Sequence, residues 1–201
     1  MRIVGGDWRG RPLAAPRGRA VSRPTTDRVR EAIASMMDAA LPDGIEDASV
    51  LDAFAGTGAL GLEMLSRRAR FAAFFDTDRS AAALVRRNLE QLGCARERAR
   101  VTVGIAAARA RRGRIEGAPF DAVLMDPPYA LGCAPAIELL EALAATGALR
   151  PGAIALFERD AVKTPALTVA GFEPVREKRY GGTCIDVLRW CGADGVESTD
   201  I

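Results

Sequence analysis

The sequence predicts an α/β fold in which a mostly parallel sheet carries helices on both faces and ends in an antiparallel hairpin. Short apolar runs alternate with stretches of helical periodicity, which is typical of parallel strands joined by crossover helices. Near the end, two strand-like runs are separated by residues 180–183 alone, a segment too short for a crossover helix, so they must pair antiparallel. The 201 residues, 49% of them hydrophobic, suffice for one domain with a full core.

The N-terminal part predicts an arm followed by a helix. In residues 1–22 short apolar positions alternate with Gly, Pro and Arg, which favours a hairpin or an extended arm. Thr26 can cap the helix that follows, in which Val29, Ile33 and their successors recur at helical spacing until Pro42 ends it.

The rest of the chain predicts a seven-stranded sheet. The five parallel strands are expected at residues 50–54, 71–75, 100–103, 120–125 and 153–158. The helices between them are expected at residues 59–67, 79–92 (closed by Gly93), in an alanine-rich stretch ending at Arg112, and at 134–145. The antiparallel pair is expected at residues 172–179 and 184–190.

Composition argues against several kinds of site. The chain has no histidine, and its four cysteines show no metal-like spacing, so we expect neither a metal site nor a histidine-based catalytic triad. No apolar run approaches the roughly 20 residues that span a bilayer, and the first residues lack the apolar segment of a signal peptide. We therefore expect a cytoplasmic protein with no membrane partner.

Positive charge is concentrated at the N-terminus. Residues 1–30 contain eight arginines and two aspartates, whereas the whole chain carries a net charge of only +2. Such asymmetry indicates a polyanionic partner. The alternative is that arginine is simply the cation this chain prefers, since Lys163 and Lys178 are its only lysines.

A glycine-rich loop follows the first parallel strand, with the pattern G-x-G-x-x-G in residues 56–61. Glycines at a strand-to-helix turn let a nucleotide approach the backbone, and alone they would fit a dinucleotide-binding oxidoreductase equally well. Asp52, four residues before Gly56, indicates a different ligand. A carboxylate there repels a pyrophosphate but attracts the ammonium and sulfonium groups of S-adenosylmethionine. The alternative is that Asp52 only supports the loop through backbone hydrogen bonds.

Further cofactor contacts are expected after the second and third strands. Asp76 lies at the distance from the loop at which an acid reaches a ribose, while Asp78 can cap the next helix; alternatively, both acids only cap. After the third strand there is no acid, so adenine recognition would rest on Ile105 and backbone N–H groups. The candidate cofactor-binding residues are Asp52, Ala53, Phe54, Ala55, Gly56, Thr57, Gly58, Asp76, Thr77, Ile105 and Ala106.

The fourth parallel strand ends in the motif D-P-P-Y. The first and fourth strands of a doubly wound sheet are neighbours where ligands bind, so this motif should face the glycine loop across one cleft. The Asp126 carboxylate and the Pro127 carbonyl can each accept an N–H of an exocyclic amine, and Tyr129 can stack on a flipped-out base. Alternatively, the motif is only a rigid turn. The candidate catalytic residues are Asp126, Pro127, Pro128 and Tyr129.

Strand order and motifs together are typical of the class I S-adenosylmethionine-dependent methyltransferase fold, which is Rossmann-like. Beyond this, the sequence resembles the RsmD-type family of 16S ribosomal RNA guanine-N2 methyltransferases over residues 1–190. The resemblance lies in M-R-I-V-G-G with R-G-R (residues 1–6 and 9–11), R-P-T-T-D-R-V-R-E (23–31), the glycine loop (51–61), D-P-P-Y (126–129) and Y-G-G-T (180–183).

The resemblance implies a substrate and a cofactor. The substrate would be a guanine of 16S rRNA in the small ribosomal subunit or an assembly intermediate, and S-adenosylmethionine the cofactor. The N-terminal arm and residues 23–30 would close over the cofactor or reach RNA. The candidate RNA-binding residues are Arg9, Arg11, Arg17, Arg23, Arg28 and Tyr180.

Composition and motifs suggest how the chain is divided. We expect an arm at residues 1–22, a methyltransferase domain at 23–190 and a polar, disordered tail at 191–201. We also expect a monomer.

Three other functions remain open from the sequence. An adenine-N6 DNA or RNA methyltransferase shares both motifs, although no additional target-recognition segment of a DNA enzyme is seen. An NAD(P)-dependent oxidoreductase leaves Asp52 and D-P-P-Y unexplained. A non-catalytic RNA-binding module would bind RNA without transferring methyl groups.

Overall fold

The computed structural model describes residues 1–15 and 26–192. Its strands are β1 (Ser49–Asp52), β2 (Phe71–Asp76), β3 (Ala99–Val103), β4 (Phe120–Met125), β5 (Leu149–Asp160), β6 (Phe172–Tyr180) and β7 (Thr183–Trp190). Its helices are α1 (Asp27–Ala40), α2 (Ala59–Ser66), α3 (Arg79–Leu92), α4 (Ala106–Ala110) and α5 (Ala134–Ala145), with 3-10 turns at Arg96–Arg98 and Tyr129–Leu131.

The strands form one seven-stranded sheet in the order β3-β2-β1-β4-β5-β7-β6. The pairs among β1 to β5 are parallel, whereas β7 pairs antiparallel with both β5 and β6. The predicted α/β fold with a C-terminal antiparallel hairpin is therefore confirmed. The strand order reverses between β1 and β4, which places the carboxyl ends of these two strands side by side at the ligand-binding position of such sheets.

Apolar side chains cover both faces of the sheet. One cluster lies between the sheet and α1 to α3 and includes Leu124 and Leu156; the other lies on the α5 side and includes Met125 and Phe157. Successive residues of a strand point to opposite faces, so alternation assigns each residue at a strand end to one of these two sides.

Local signals set most helix ends. The Thr26 hydroxyl accepts the Val29 N–H at 3.4 Å and caps α1, as predicted. The helix α3 ends at Gly93, whose φ of 68° suits glycine. Several predicted boundaries are wrong. The strand β1 ends at Asp52 and not at residue 54, and β5 continues to Asp160 and does not end at Glu158. The helix α4 ends at Ala110, two residues before the predicted end at Arg112. The strand β5 begins at Leu149, where it already pairs with Phe120 ahead of a register shift.

The described part of the N-terminal arm folds back on itself. The Ile3 N–H donates to the Arg11 carbonyl at 3.0 Å, the Gly10 N–H donates to the Ile3 carbonyl at 2.9 Å, and Ile3 and Leu13 are buried in the core. Burying each of these side chains contributes roughly 1.5–3 kcal/mol. Residues 1–15 are thus a hairpin-like segment packed on the domain.

Two charged residues fix this segment to the helices. The buried Glu63 carboxylate of α2 accepts the N–H groups of Val4 and Gly5 at 2.9 and 2.8 Å. Arg30 of α1 is buried and donates to the Arg2 carbonyl at 2.8 Å. Residues 16–22 of the predicted arm and residues 193–201 of the predicted disordered tail lie outside the described residues, so the proposed division of the chain stays a prediction.

None of the helices in the described ranges combines the length and the apolar character needed to cross a bilayer.

Candidate active site

Four carboxylates lie at or near the carboxyl ends of four neighbouring strands, on one face of the sheet. In spatial order they are Asp76 of β2, Asp52 of β1, Asp126 directly after β4, and Glu158 of β5. The residue two positions before each acid belongs to the cluster on the α1 to α3 side: Phe74, Val50, Leu124 and Leu156. Because side chains alternate, the four acids share that side. We call these four residues the acid row.

Asp52 supports the glycine loop through a hydrogen bond. It is buried, and its Oδ2 accepts the Gly61 N–H of α2 at 3.0 Å. A Cβ at Gly61 would lie 2.4 Å from the Phe74 ring and 3.0 Å from Asp52 Oδ2, so only glycine permits this approach. Asp52 therefore does support the loop, as the alternative interpretation predicts. Its contact with a cofactor stays a prediction.

Asp76 supports the same loop at a second point. Its Oδ2 accepts the Gly56 N–H at 2.8 Å, and its Oδ1 accepts the Asp78 N–H at 2.8 Å. Gly56 has a φ of 53°, which favours glycine. Asp78 caps α3 by accepting the Ser80 N–H at 2.7 Å, as predicted. Asp76 is thus an anchor of the glycine loop.

The other predicted loop residues form the turn between β1 and α2. Ala53 and Ala55 are buried, and their N–H groups donate to the Leu124 and Phe75 carbonyls at 3.0 and 2.9 Å. The Thr57 carbonyl accepts from the Asn88 side chain at 3.0 Å. The remaining predicted residues are half-buried Phe54, Gly56 and Thr57, buried Gly58, and exposed Thr77. The loop is therefore tied to three strands and to α3.

The surroundings of Asp52 change its pKa in a way that a bound cation would reverse. Burial raises its pKa to about 7, with a further increase from the Asp76 charge, while the Gly61 hydrogen bond lowers it. A positive group next to Asp52 would favour the ionised carboxylate. Acids along the cleft and a glycine turn at its base therefore fit a nucleoside ligand with a positive charge better than a pyrophosphate.

On the adenine side of the predicted site, the residues after β3 are apolar. Ile105 is 59% exposed, and Ala106 is buried at the start of α4. The Gly104 N–H donates to the Asp76 carbonyl at 2.8 Å, which holds this segment beside the end of β2. An exposed isoleucine here offers an apolar surface for a base, and the contact itself stays a prediction.

The D-P-P-Y motif provides the other half of the cleft. Burial raises the pKa of Asp126 well above its usual range, and the charges of Glu158 and Asp52 raise it further. The register of β1 and β4 places Asp52 opposite Leu124, two residues before Asp126 on the same side of the sheet, so the two acids lie near each other. That they line one ligand cleft stays a prediction. Pro127 is buried and Pro128 is exposed.

Tyr129 is held by two residues that the sequence analysis did not identify. Its hydroxyl donates to Glu158 Oε1 at 3.3 Å and pairs with Thr183 Oγ1 at 2.8 Å. The residue is 39% exposed, so its ring is both fixed and accessible, and burial raises the pKa of its hydroxyl. A signal for Glu158 existed, because it is an acid at the carboxyl end of the strand expected beside β4.

The predicted RNA-binding residues fall into different surroundings. Arg9 and Arg28 are exposed, and half-buried Tyr180 packs against the core. Arg11 instead donates to the Gln91 and Leu92 carbonyls at 2.5 and 2.8 Å, at the C-terminus of α3. This gives Arg11 a structural role that its charge did not suggest. Arg17 and Arg23 lie outside the described residues, and contact of these residues with RNA stays a prediction.

One cluster elsewhere in the described ranges has the composition of a metal site. The potential ligand atoms of Glu177, Cys184 and Asp186 lie within 4.8 Å of one another. However, the Arg159 guanidinium donates to both carboxylates, at 2.7 Å to Glu177 and at 2.7 and 3.0 Å to Asp186. The positive charge that these acids need is already supplied by arginine.

Comparison with known proteins gives concordant matches. The family profile described as "Conserved hypothetical protein 95" matches residues 1–189. The Ribosomal RNA small subunit methyltransferase D of Haemophilus influenzae is 32% identical over 181 residues, which cover 90% of this chain and 89% of that protein. Its Escherichia coli namesake is 41% identical over 132 residues, 66% of this chain and 62% of the relative. The solved "Putative methyltransferase yhhF" of Escherichia coli superposes with a TM-score of 0.79 at 33% identity, covering 96% of this chain and 99% of that one.

Proposed function

This chain belongs to the RsmD-type family of ribosomal RNA small-subunit methyltransferases, and we propose that it methylates the exocyclic N2 amino group of a guanine in 16S rRNA, using S-adenosylmethionine. The names of the relatives support an rRNA substrate. The observation that supports the chemistry is the register of β1 and β4, which places Asp52 opposite Leu124 and therefore near Asp126, on the same side of the sheet.

We assign the glycine-loop half of the cleft to the cofactor. When bound, S-adenosylmethionine supplies a methyl group on a positively charged sulfur. Asp52 balances the positive charge of the ligand, Asp76 accepts a ribose hydroxyl, and the backbone of residues 53–58 lies along the nucleoside. Thr77 lies next to Asp76, and Ile105 and Ala106 contact the adenine.

We assign the D-P-P-Y half to the target amine. An aromatic amine is a weak nucleophile because its lone pair is delocalised into the ring. The Asp126 carboxylate and the Pro127 carbonyl each accept one N–H, which holds the nitrogen with its lone pair towards the methyl group. Asp126 must be ionised to do this, and its carboxylate can take the proton that the nitrogen loses. The raised pKa makes it a stronger base than an ordinary aspartate.

Tyr129 provides the surface on which the flipped-out base stacks. Such stacking contributes about 1–3 kcal/mol per base. Its hydroxyl contacts with Glu158 and Thr183 keep the ring in place before the base arrives. Pro128, between the two functional residues, restricts the backbone that positions them.

We extend the proposal to the partner. The enzyme acts as a monomer in the cytoplasm, on the small ribosomal subunit or an assembly intermediate, and exposed Arg9 and Arg28 contact RNA phosphates there. Arg17, Arg23 and Tyr180 are further candidates for this surface. Arg11 would reach RNA only by giving up its hydrogen bonds to the end of α3.

The test is to supply methyl-labelled S-adenosylmethionine and this enzyme to small-subunit particles from a strain that lacks the gene, and then to identify the labelled nucleoside. We expect N2-methylguanosine. Label in N6-methyladenosine would show an adenine enzyme. Particle binding without any transfer would show a non-catalytic RNA-binding protein. Binding of NADH in place of S-adenosylmethionine would show an oxidoreductase. Each of these three results contradicts the proposal.

A further inference from the structure

Glu158 is the member of the acid row that the proposed methyl transfer leaves without a direct contact to substrate. We propose that it selects guanine over adenine, by accepting a hydrogen bond from the N1–H of the target base while Asp126 holds the N2 amine. This inference rests on the proposed function, because it assumes that the base amine binds at the D-P-P-Y motif.

The sheet places Glu158 beside Asp126. The strands β4 and β5 pair in parallel, with Leu124 opposite Leu156 and Met125 opposite Phe157. Asp126 and Glu158 are the next residues in the same register, and neighbouring strands lie about 4.8 Å apart. The Glu158 charge also raises the pKa of Asp126, which agrees with this proximity.

The Glu158 side chain has a defined orientation. The residue is only 5% exposed, and its Oε1 accepts the Tyr129 hydroxyl at 3.3 Å. An ionised carboxylate has about four acceptor positions, so Glu158 can accept from more than one donor at the same time. Because the Tyr129 ring is the proposed stacking surface, a base on that ring would direct its edge towards Asp126 and Glu158.

Two adjacent carboxylates match the edge of guanine and not that of adenine. Guanine presents two neighbouring donors, N1–H and the N2 amine. Adenine presents its N6 amine beside N1, which is an acceptor. Ionised carboxylates only accept, so adenine N1 would face Glu158 without a hydrogen bond and with electrostatic repulsion. A single acid in D-P-P-Y can hold either amine, and the second acid supplies the discrimination.

The experiment replaces the N1–H donor of the target base with an acceptor and leaves the N2 amine unchanged. Small-subunit particles are reconstituted with RNA in which the mapped target guanine is replaced by 2-aminopurine, which keeps the N2 amine but has an acceptor at N1. We expect the wild-type enzyme to methylate 2-aminopurine at least about 30-fold more slowly than guanine, because a site built for an N–H donor rejects an analogue that lacks it. Wild-type rates within about threefold of each other would overturn the proposal.

The Glu158→Gln variant tests the residue itself. Its amide can donate to N1 of 2-aminopurine, and its carbonyl can still accept from Tyr129. We therefore expect slower guanine methylation. The ratio of the guanine rate to the 2-aminopurine rate should fall at least tenfold, which corresponds to the loss of about one charged hydrogen bond. A ratio equal to that of the wild type would contradict the assignment. 2-Aminopurine also lacks O6, but this loss affects both enzymes and cancels when their ratios are compared.

Two controls separate the possible failures. Glu141→Gln removes an exposed carboxylate on α5 and should keep the wild-type rates and ratio. If the wild type never forms N2-methylguanosine, the proposed function fails. If it does form this product but accepts 2-aminopurine equally well, only the role of Glu158 fails. Should Glu158→Gln not fold, equal wild-type rates for the two bases would still overturn the proposal.

Discussion

The two halves of the acid row differ in how their carboxylates are used. Asp52 and Asp76 accept N–H groups of the glycine loop, from Gly61 and Gly56. Asp126, in contrast, receives no hydrogen bond from residues 1–15 and 26–192, and burial and its acidic neighbours raise its pKa. The carboxylates of the cofactor half are therefore engaged by the protein's own donors, whereas Asp126 in the amine half can accept hydrogen bonds from a substrate amine.

This difference has an electrostatic consequence. A positive ligand beside Asp52 lowers the pKa values of the nearby acids and so helps Asp126 to ionise. Asp126 must be ionised to accept the amine protons, so cofactor binding prepares the amine half of the cleft. The effect is mutual, because the coupling between two binding sites is reciprocal.

The largest effect is expected for Asp126→Ala. It removes the amine acceptor, so the single-turnover rate of methyl transfer should fall about 10³-fold or more. Calorimetry should find that S-adenosylmethionine still binds, with a much smaller loss in affinity than in rate, because the glycine-loop half is intact and only the coupling to the Asp126 charge is removed. Asp126→Asn keeps an acceptor oxygen and should lose less. Equal rates for the alanine variant and the wild type would refute the role of Asp126.

A smaller effect, on cofactor affinity and much less on rate, is expected for Asp52→Asn. The variant loses a charged acceptor in the cofactor half, so S-adenosylmethionine should bind roughly 10- to 100-fold more weakly. The rate at saturating cofactor should fall much less. The control Asp43→Asn removes the same charge at an exposed position and should leave binding unchanged. If Asp52→Asn bound the cofactor as tightly as the control, Asp52 would have only its structural role in the loop.

Variants of Tyr129 separate stacking from positioning. Tyr129→Leu removes the ring and should lower kcat/KM about 5- to 100-fold, which corresponds to the stacking energy of one base. Tyr129→Phe keeps the ring but loses the contacts to Glu158 and Thr183, and about a threefold to tenfold loss is expected. Equal losses in the two variants, measured on the same particles, would mean that the ring does not contact the base.

The pH dependence of cofactor binding is a more gradual effect. In the free protein the pKa of Asp52 is raised to about 7, so below this pH the carboxyl is mostly neutral. A cation favours its ionised form, so binding releases a proton and affinity increases with pH, by at most about tenfold per pH unit, until it levels off above pH 7. Calorimetry from pH 5.5 to 8 should show this increase in the wild type. A slope in Asp52→Asn as steep as in the wild type would assign the effect to another group.

The same pKa affects stability. Because the folded-state pKa of Asp52 lies above its unfolded value of 3.8, its contribution to stability is full below pH 3.8 and is lost as the pH rises to about 7. The ionised Asp52 carboxylate is thus a cost to the empty protein near neutral pH, and a bound cation offsets this cost.

Much of the fold could be predicted because it depends on local patterns. The bounds of α3 and α5 follow from helical periodicity, the cap at Asp78 and the glycine at position 93. The position of Asp52 and Asp126 on neighbouring strands could be predicted too. Alternating strands and helices restrict the sheet to few topologies, and in these the first and fourth strands are neighbours.

The missed features depend on contacts between distant parts of the chain. Glu158 meets Tyr129 only because β4 and β5 pair in one particular register, and its own sequence surroundings show only the end of a strand. Arg11 is 80 residues or more away from the carbonyls of α3 that it binds, so its charge indicated RNA. The buried Glu63, which anchors the arm, stands in a helix whose pattern gives no reason for an acid.

The division of the cleft can be tested most directly by solving the enzyme in complex with a non-reactive S-adenosylmethionine analogue that carries an amine in place of the sulfonium. We predict that this cationic centre lies between Asp52 and Asp126, within about 6 Å of the Asp126 carboxylate, with the adenine beside Ile105. An analogue bound on the α5 side of the sheet, or one that contacts neither Asp52 nor Asp126, would contradict the account.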